Sequence, residues 1–202
     1  MGDGSLPPCR SEMESATLEK PIMNETPVAW HPVARGLHWL MAALILVQGV
    51  VGWVGHEMSR SPTKVDVMTA HKSLGITLLL LVILRLLWRL THPAPPLPAQ
   101  SKTWETRAAW LSHATLYLLM FALPLSGWLA ASTSIVPWKL WWVLPWPAIA
   151  APDPGLHEFA GEVHEALVLS LIALLIVHVA AALRHHFLKR DDVLLRMWRG
   201  AR

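Results

Sequence analysis

The last long apolar run of the sequence, residues 161–187 (GEVHEALVLSLIALLIVHVAAALRHHF), carries two histidines, His164 and His178, 14 positions apart. At 1.5 Å and 100° per residue, that spacing sets them about 21 Å apart along a helix axis and within about 40° of one face. An ionisable side chain inside a run long enough to cross a bilayer is costly and marks a function. Imidazole is a usual axial ligand of haem iron. Two imidazoles on one face, near opposite ends of a span, therefore ask for one partner each on other helices, at matching depths. His38 and His71 stand in the two earlier runs that can supply them. Successive spans alternate in direction, so the pairs expected are His38 with His178 and His71 with His164. Bis-imidazole ligation fills both axial positions and favours electron transfer over oxygen binding. The competing reading is that intramembrane histidines simply hydrogen-bond between helices. That suits one isolated histidine better than four that pair by depth across three helices.

The elements that must position these residues are apolar runs. Spans are expected at about 32–55, 68–90, 106–131 and 161–187, within a membrane domain of residues 31–202 behind a disordered cytoplasmic tail, residues 1–30. Only 15% of the 202 residues are charged, and the charges gather outside the apolar runs, as in a polytopic membrane protein. Pro32 suits a first helical turn. The stretch THPAPPLPAQ after Leu90 is a connector that no helix crosses. Pro124 falls inside the third span, where a kink is tolerable if neighbouring helices satisfy the freed carbonyl. Residues 132–155 are apolar, yet Pro137, Pro145, Pro147 and Lys139 argue against a fifth span, and four tryptophans favour the membrane–water interface.

Thirteen of the 17 Lys and Arg flank the cytoplasmic ends implied by an N-in, C-in arrangement, leaving Arg60, Lys64, Lys72 and Lys139 on the other side. Topology and anionic headgroups thus account for the basic pI of about 9.4 without nucleic acid. The single cysteine, Cys9, excludes a disulfide framework and thiolate-bound clusters. The first 30 residues hold no apolar core of a signal peptide.

Other residues carry weaker signals. Lys72, beside His71 on the sparsely charged side, could steer a small anion or pair with a haem propionate. His113 could hydrogen-bond a quinone carbonyl or relay protons, or make only an interhelical bond. Arg35, Arg85, Arg89 and Arg184 fall at the inner edge, where propionates need cationic partners and where snorkelling to headgroups competes. His185 and His186 read as interfacial residues, with proton delivery to a quinone as the alternative.

Several motifs occur in order: GLHWLMA, HKSLGITLLLLVILRLLWRL with its Pro-rich continuation, SHATLYLLMFALPLSGW, HE…IVHVAAALRHHF and DDVLLRM. Over about residues 31–200 the sequence resembles the bacterial cytochrome b561 family. The resemblance implies an all-α integral membrane four-helix bundle with two b-type haems, and carries axial-ligand roles onto His38, His71, His164 and His178. It implies a multi-pass protein of the bacterial inner membrane. One branch is similar to the superoxide oxidases, which oxidise superoxide at the periplasmic face and pass the electron to ubiquinone. The expected partners are the lipid bilayer, membrane quinone, and either a small periplasmic donor such as superoxide or a redox protein. The alternative function is a membrane-anchoring cytochrome b subunit fed by a periplasmic dehydrogenase or hydrogenase. The sequence departs from the family in its longer N-terminal tail and its Trp-rich loop. A haem-free transporter would call for internal repeats or broken helices, and neither is evident.

Overall fold

The helix starts are written in caps and prolines. Ser61 Oγ accepts the backbone N–H of Lys64 at 3.1 Å, Asp153 Oδ1 accepts that of Leu156 at 2.9 Å, and a proline follows each cap. In the computed structural model, which describes residues 29–96 and 102–199, four long helices result. They are α1 (Pro32–Glu57), α2 (Pro62–Thr91), α3 (Thr103–Ser132) and α4 (Pro154–Arg184). A π-helical turn (His185–Lys189) and a short α5 (Val193–Trp198) close the chain. All four long helices are long and apolar enough to cross a membrane. Each begins a turn or more before its apolar run where a polar cap stands ahead of it, as at Ser61 and Asp153. Of the tail expected over residues 1–30, only Ala29 and Trp30 lie within the described residues, and positions 97–101 of the connector also fall outside them.

Short connections make neighbours of consecutive helices: α1 packs on α2, α2 on α3, and α3 on α4. Met41, Leu79 and Val82 are buried at the centre, with Leu81, Tyr117, Met120 and Phe121 against them, so the packed core belongs to α1, α2 and α3. Helix α4 buries only Ala160. Its Leu169, Ile172, Ile176 and Val177 are exposed, a surface that water would not tolerate and that acyl chains cover. We therefore describe a multi-pass membrane protein with two ends. The terminal end carries Pro32, Thr91, Thr103 and Arg184; the hairpin end carries Glu57, Pro62, Ser132 and Pro154.

The hairpin end departs from an all-helical chain. Within the stretch expected to lie at the membrane–water interface, a two-stranded antiparallel hairpin forms, β1 (Lys139–Leu140) with β2 (Leu144–Pro145). In its turn Trp141 and Trp142 take positive φ, 49° and 61°, a conformation that costs a non-glycine residue energy. The neighbouring helix holds it there. Ser73 Oγ accepts the Trp141 backbone N–H at 2.8 Å, Thr77 Oγ1 accepts its indole N–H at 3.3 Å, and Asp66 accepts the Trp142 indole at 3.2 Å.

The terminal end is tied by a buried carboxylate. Glu105 accepts the Lys102 backbone N–H at 3.0 Å and the Arg184 guanidinium at 3.2 Å, and it also pairs with Lys189. This joins the start of α3 to the end of α4. His185 pairs with Asp191 across the π-helical turn.

Because lipid is as apolar as a side chain, truncation in this core loses packing but little transfer free energy. Met41→Ala, at a position 2% exposed, should cost about 2 kcal/mol, the low end of the usual range for such a change. Leu46→Ala, at a position 69% exposed to lipid, should cost less than about 0.5 kcal/mol. Reversible unfolding in mixed micelles measures both.

Candidate functional site

Helix α4 makes no backbone approach to α1 or α2 comparable to its packing on α3. It faces them through imidazoles. The rings of His38 (α1) and His178 (α4) have centroids 6.3 Å apart, and those of His71 (α2) and His164 (α4) have centroids 6.2 Å apart. These separations are too wide for stacking and almost equal. Two imidazole–metal bonds of about 2.0–2.1 Å each, plus about 1.1 Å from nitrogen to ring centre on either side, span about 6.3 Å. Both pairs therefore have the spacing of two axial imidazoles on one metal. Among the described residues no group of three or more His, Cys, Asp and Glu could hold a metal ion by itself. A metal at either pair would take its remaining ligands from a macrocycle, and the residues fit a haem.

The hairpin-end pair is the more elaborately held. His164 Nδ1 lies 3.1 Å from the Leu123 carbonyl and 3.0 Å from Ser126 Oγ. A carbonyl only accepts, so Nδ1 carries the proton and Nε2 keeps its lone pair, the state a metal ligand needs. Both partners flank Pro124, and α3 runs through this proline as continuous helix. On the partner ring, the Gln48 amide nitrogen lies 3.4 Å from His71 Nε2 and donates to the His71 backbone carbonyl at 3.0 Å. His71 Nδ1 is buried with no hydrogen-bond partner among the described residues.

Two glycines make room for these rings. A Cβ at Gly52 would lie 2.7 Å from His71 Cε1, and one at Gly127 would lie 3.1 Å from His164 Cε1. Glycine is required at the first position and tightly favoured at the second, because the close neighbour is an imidazole ring of a histidine pair.

At the terminal end His113, for which the spacing offers no iron partner, brings its ring to 5.5 Å from that of His178. Trp39 stands edge-on to His38 at 5.3 Å, and its indole donates to the Met197 carbonyl at 3.0 Å, so α5 is moored beside the pair. Arg85 donates to the Ala34 carbonyl at 2.9 Å, and Arg89 lies 4.9 Å from the Trp30 ring centre. Arg35 Nε and one Arg89 nitrogen are buried without a partner among the described residues. At the other end Lys72 Nζ lies 5.7 Å from the Trp138 ring centre, which brings the tryptophan loop over the neighbour of His71. Arg184 is engaged by Glu105, and His186 Nδ1 is buried without a partner among the described residues.

The family model for prokaryotic cytochrome b561 matches residues 29–200. The chain belongs to this family. Cytochrome b561 homolog 2 of Escherichia coli K12 is 33% identical over 174 residues, 85% of this chain and 92% of the relative. Cytochrome b561 homolog 1 of the same organism is 27% identical over 165 residues, 80% of this chain and 92% of its own. A Yersinia pestis protein named "Probable superoxide oxidase CybB" is 27% identical over 165 residues, 80% of this chain and 91% of its own. As a cytochrome b561 the protein binds b-type haem and transfers electrons in a membrane.

Four residues of this cytochrome's site escape a reading of histidine spacing: Gln48, Gly52, Ser126 and Gly127. Gln48 had a signal of its own, since no other amide, acid or base lies between His38 and His56. Glycines inside apolar helices mark close approach, but nothing in the sequence says to what. Gly52→Ala should lower bound haem per chain with helical circular dichroism unchanged, and Gly127→Ala should do so less. Full haem content in Gly52→Ala would contradict the tight fit around His71.

Proposed function

We propose that this cytochrome holds two b-type haems, one between His38 and His178 and one between His71 and His164, and that it carries electrons from a periplasmic donor to membrane quinone. The observation that carries the reading is the pair of ring separations, 6.3 Å and 6.2 Å, one at each end of the bundle. Bound there, the haems would supply one-electron redox chemistry that no side chain of the chain supplies.

The chain's own residues do the rest. His38 with His178, and His71 with His164, would each hold a haem iron from two helices, which would favour electron transfer over oxygen binding. The bias of Lys and Arg, thirteen of 17 toward the terminal end, orients that end to the cytoplasm of a bacterial inner membrane. The His71/His164 pair is then the outer site and His38/His178 the inner one. At the inner site Arg35 and Arg89 have unpartnered nitrogens suited to propionates. His113, beside His178, is our candidate for holding a quinone carbonyl. At the outer site Lys72 is a cation placed to attract an anionic donor.

Superoxide is the donor we favour, supported by the name of the Yersinia relative and by Lys72 beside His71. A second reading rests on the hairpin end, where Ile135 and Val143 are 85% and 81% exposed. There the loop would receive a periplasmic dehydrogenase or hydrogenase, and the cytochrome would be its membrane anchor. Mixing the purified protein with a superoxide source and quinone separates them. Rapid haem reduction with no other protein present supports the first reading, and inertness supports the second.

The ligand assignment has its own test. Pyridine haemochrome measurement should give two haems per chain. His178→Ala should lose the inner haem and His164→Ala the outer one, each falling to about one. A variant keeping both with an unchanged spectrum would show that its histidine is not a ligand.

A further inference from the structure

Gln48 lies in the middle of α1, where a leucine would cost nothing in lipid and an amide is expensive unless used. Its use is visible. The amide nitrogen donates across to the backbone carbonyl of His71 at 3.0 Å and lies 3.4 Å from His71 Nε2. That carbonyl is already part of the α2 ladder, so the bond from Gln48 is an additional one, made from a different helix. Gly75, one turn further along α2, keeps the approach open, because a Cβ there would lie 3.3 Å from the Gln48 nitrogen. The other end of the amide, Oε1, is buried and has no hydrogen-bond partner among the described residues. The dipole is thus directed, with its positive end at His71.

We propose that Gln48 is a positioning residue of the outer site, holding His71 in place and raising the reduction potential of the iron that His71 ligates. This rests on the haem reading given above for His71 and His164. Reduction adds negative charge at the metal, and a fixed amide dipole with its N–H end toward the ligand stabilises that charge. In a low-dielectric interior the effect is little screened. The inner pair has no counterpart to Gln48 among its described hydrogen bonds, so the dipole acts on one site and not the other. The outer haem is then easier to reduce than it would be without the amide, by a donor arriving at that face. An ordinary interhelical hydrogen bond would hold α1 to α2 and leave both potentials where they are.

The experiment is potentiometry of the purified full-length cytochrome, with the outer haem identified as the one lost in His164→Ala. Gln48→Leu and Gln48→Met remove the dipole and put an apolar side chain of similar size in its place. Both should lower the outer potential by a tenfold change in the reduction equilibrium, about 59 mV for one electron, and leave the inner potential in place. Loss of the outer haem alone in both variants also supports the assignment, since it shows His71 unanchored. Two haems with unmoved potentials, or an equal shift in both, overturns the role of Gln48 and leaves the pairing intact. Wild-type protein with a single haem overturns the pairing and this inference with it.

Discussion

An imidazole in the hydrocarbon of a bilayer needs a partner, and in this protein four of them are set across a gap that neither stacking nor a hydrogen bond between rings would fill. The distance between the rings, close to 6.2 Å at one end and 6.3 Å at the other, is the constraint to which the bundle is built. Helix α4 supplies one ring to each site and is the least packed of the four helices, with a single buried residue. Its place is therefore set by α3 along its length, by Glu105 at one end and by the two histidine sites. Groups bound at those sites would complete the contact between α4 and the α1–α2 pair, which links cofactor binding to the stability of the bundle.

The two sites are supported differently. At the hairpin end, each ring is backed by a glycine and addressed by a polar group from a helix other than its own: Leu123 and Ser126 for His164, Gln48 for His71. At the terminal end, aromatic and cationic neighbours take that part, with Trp39 and His113 beside the rings and arginines around them. The first arrangement fixes ring orientation and proton position at His164 by hydrogen bonds and ties the backbone of His71 to α1. The second surrounds its rings with groups able to meet anionic or carbonyl-bearing molecules. Such a difference would suit the two centres with different redox partners that we propose.

Much of this was legible in the sequence because bilayers simplify it. Apolar length gives the spans, and helical periodicity with alternating span direction puts His71 at the level of His164 and His38 at the level of His178. Less legible was whatever depends on side-chain reach between helices. Gln48 announces itself as polar in an apolar run but not that its target is the neighbour helix's carbonyl. Gly52 and Gly127 read as ordinary small residues of membrane helices until the rings they accommodate are located. The tryptophan hairpin was hidden for another reason. Tryptophan disfavours positive φ, so Trp141 and Trp142 point away from a turn, and only the acceptors Ser73, Thr77 and Asp66 on α2 explain why the chain turns there.

The central claim is that each pair closes on one iron from both sides. Electron paramagnetic resonance of the oxidised, purified protein tests it most directly, because six-coordinate bis-imidazole ferric haem is low-spin. The account predicts low-spin signals from both haems and none that is high-spin. A high-spin ferric signal from either haem in the wild-type protein would mean that one ring of that pair does not reach the metal, and the account would fail there.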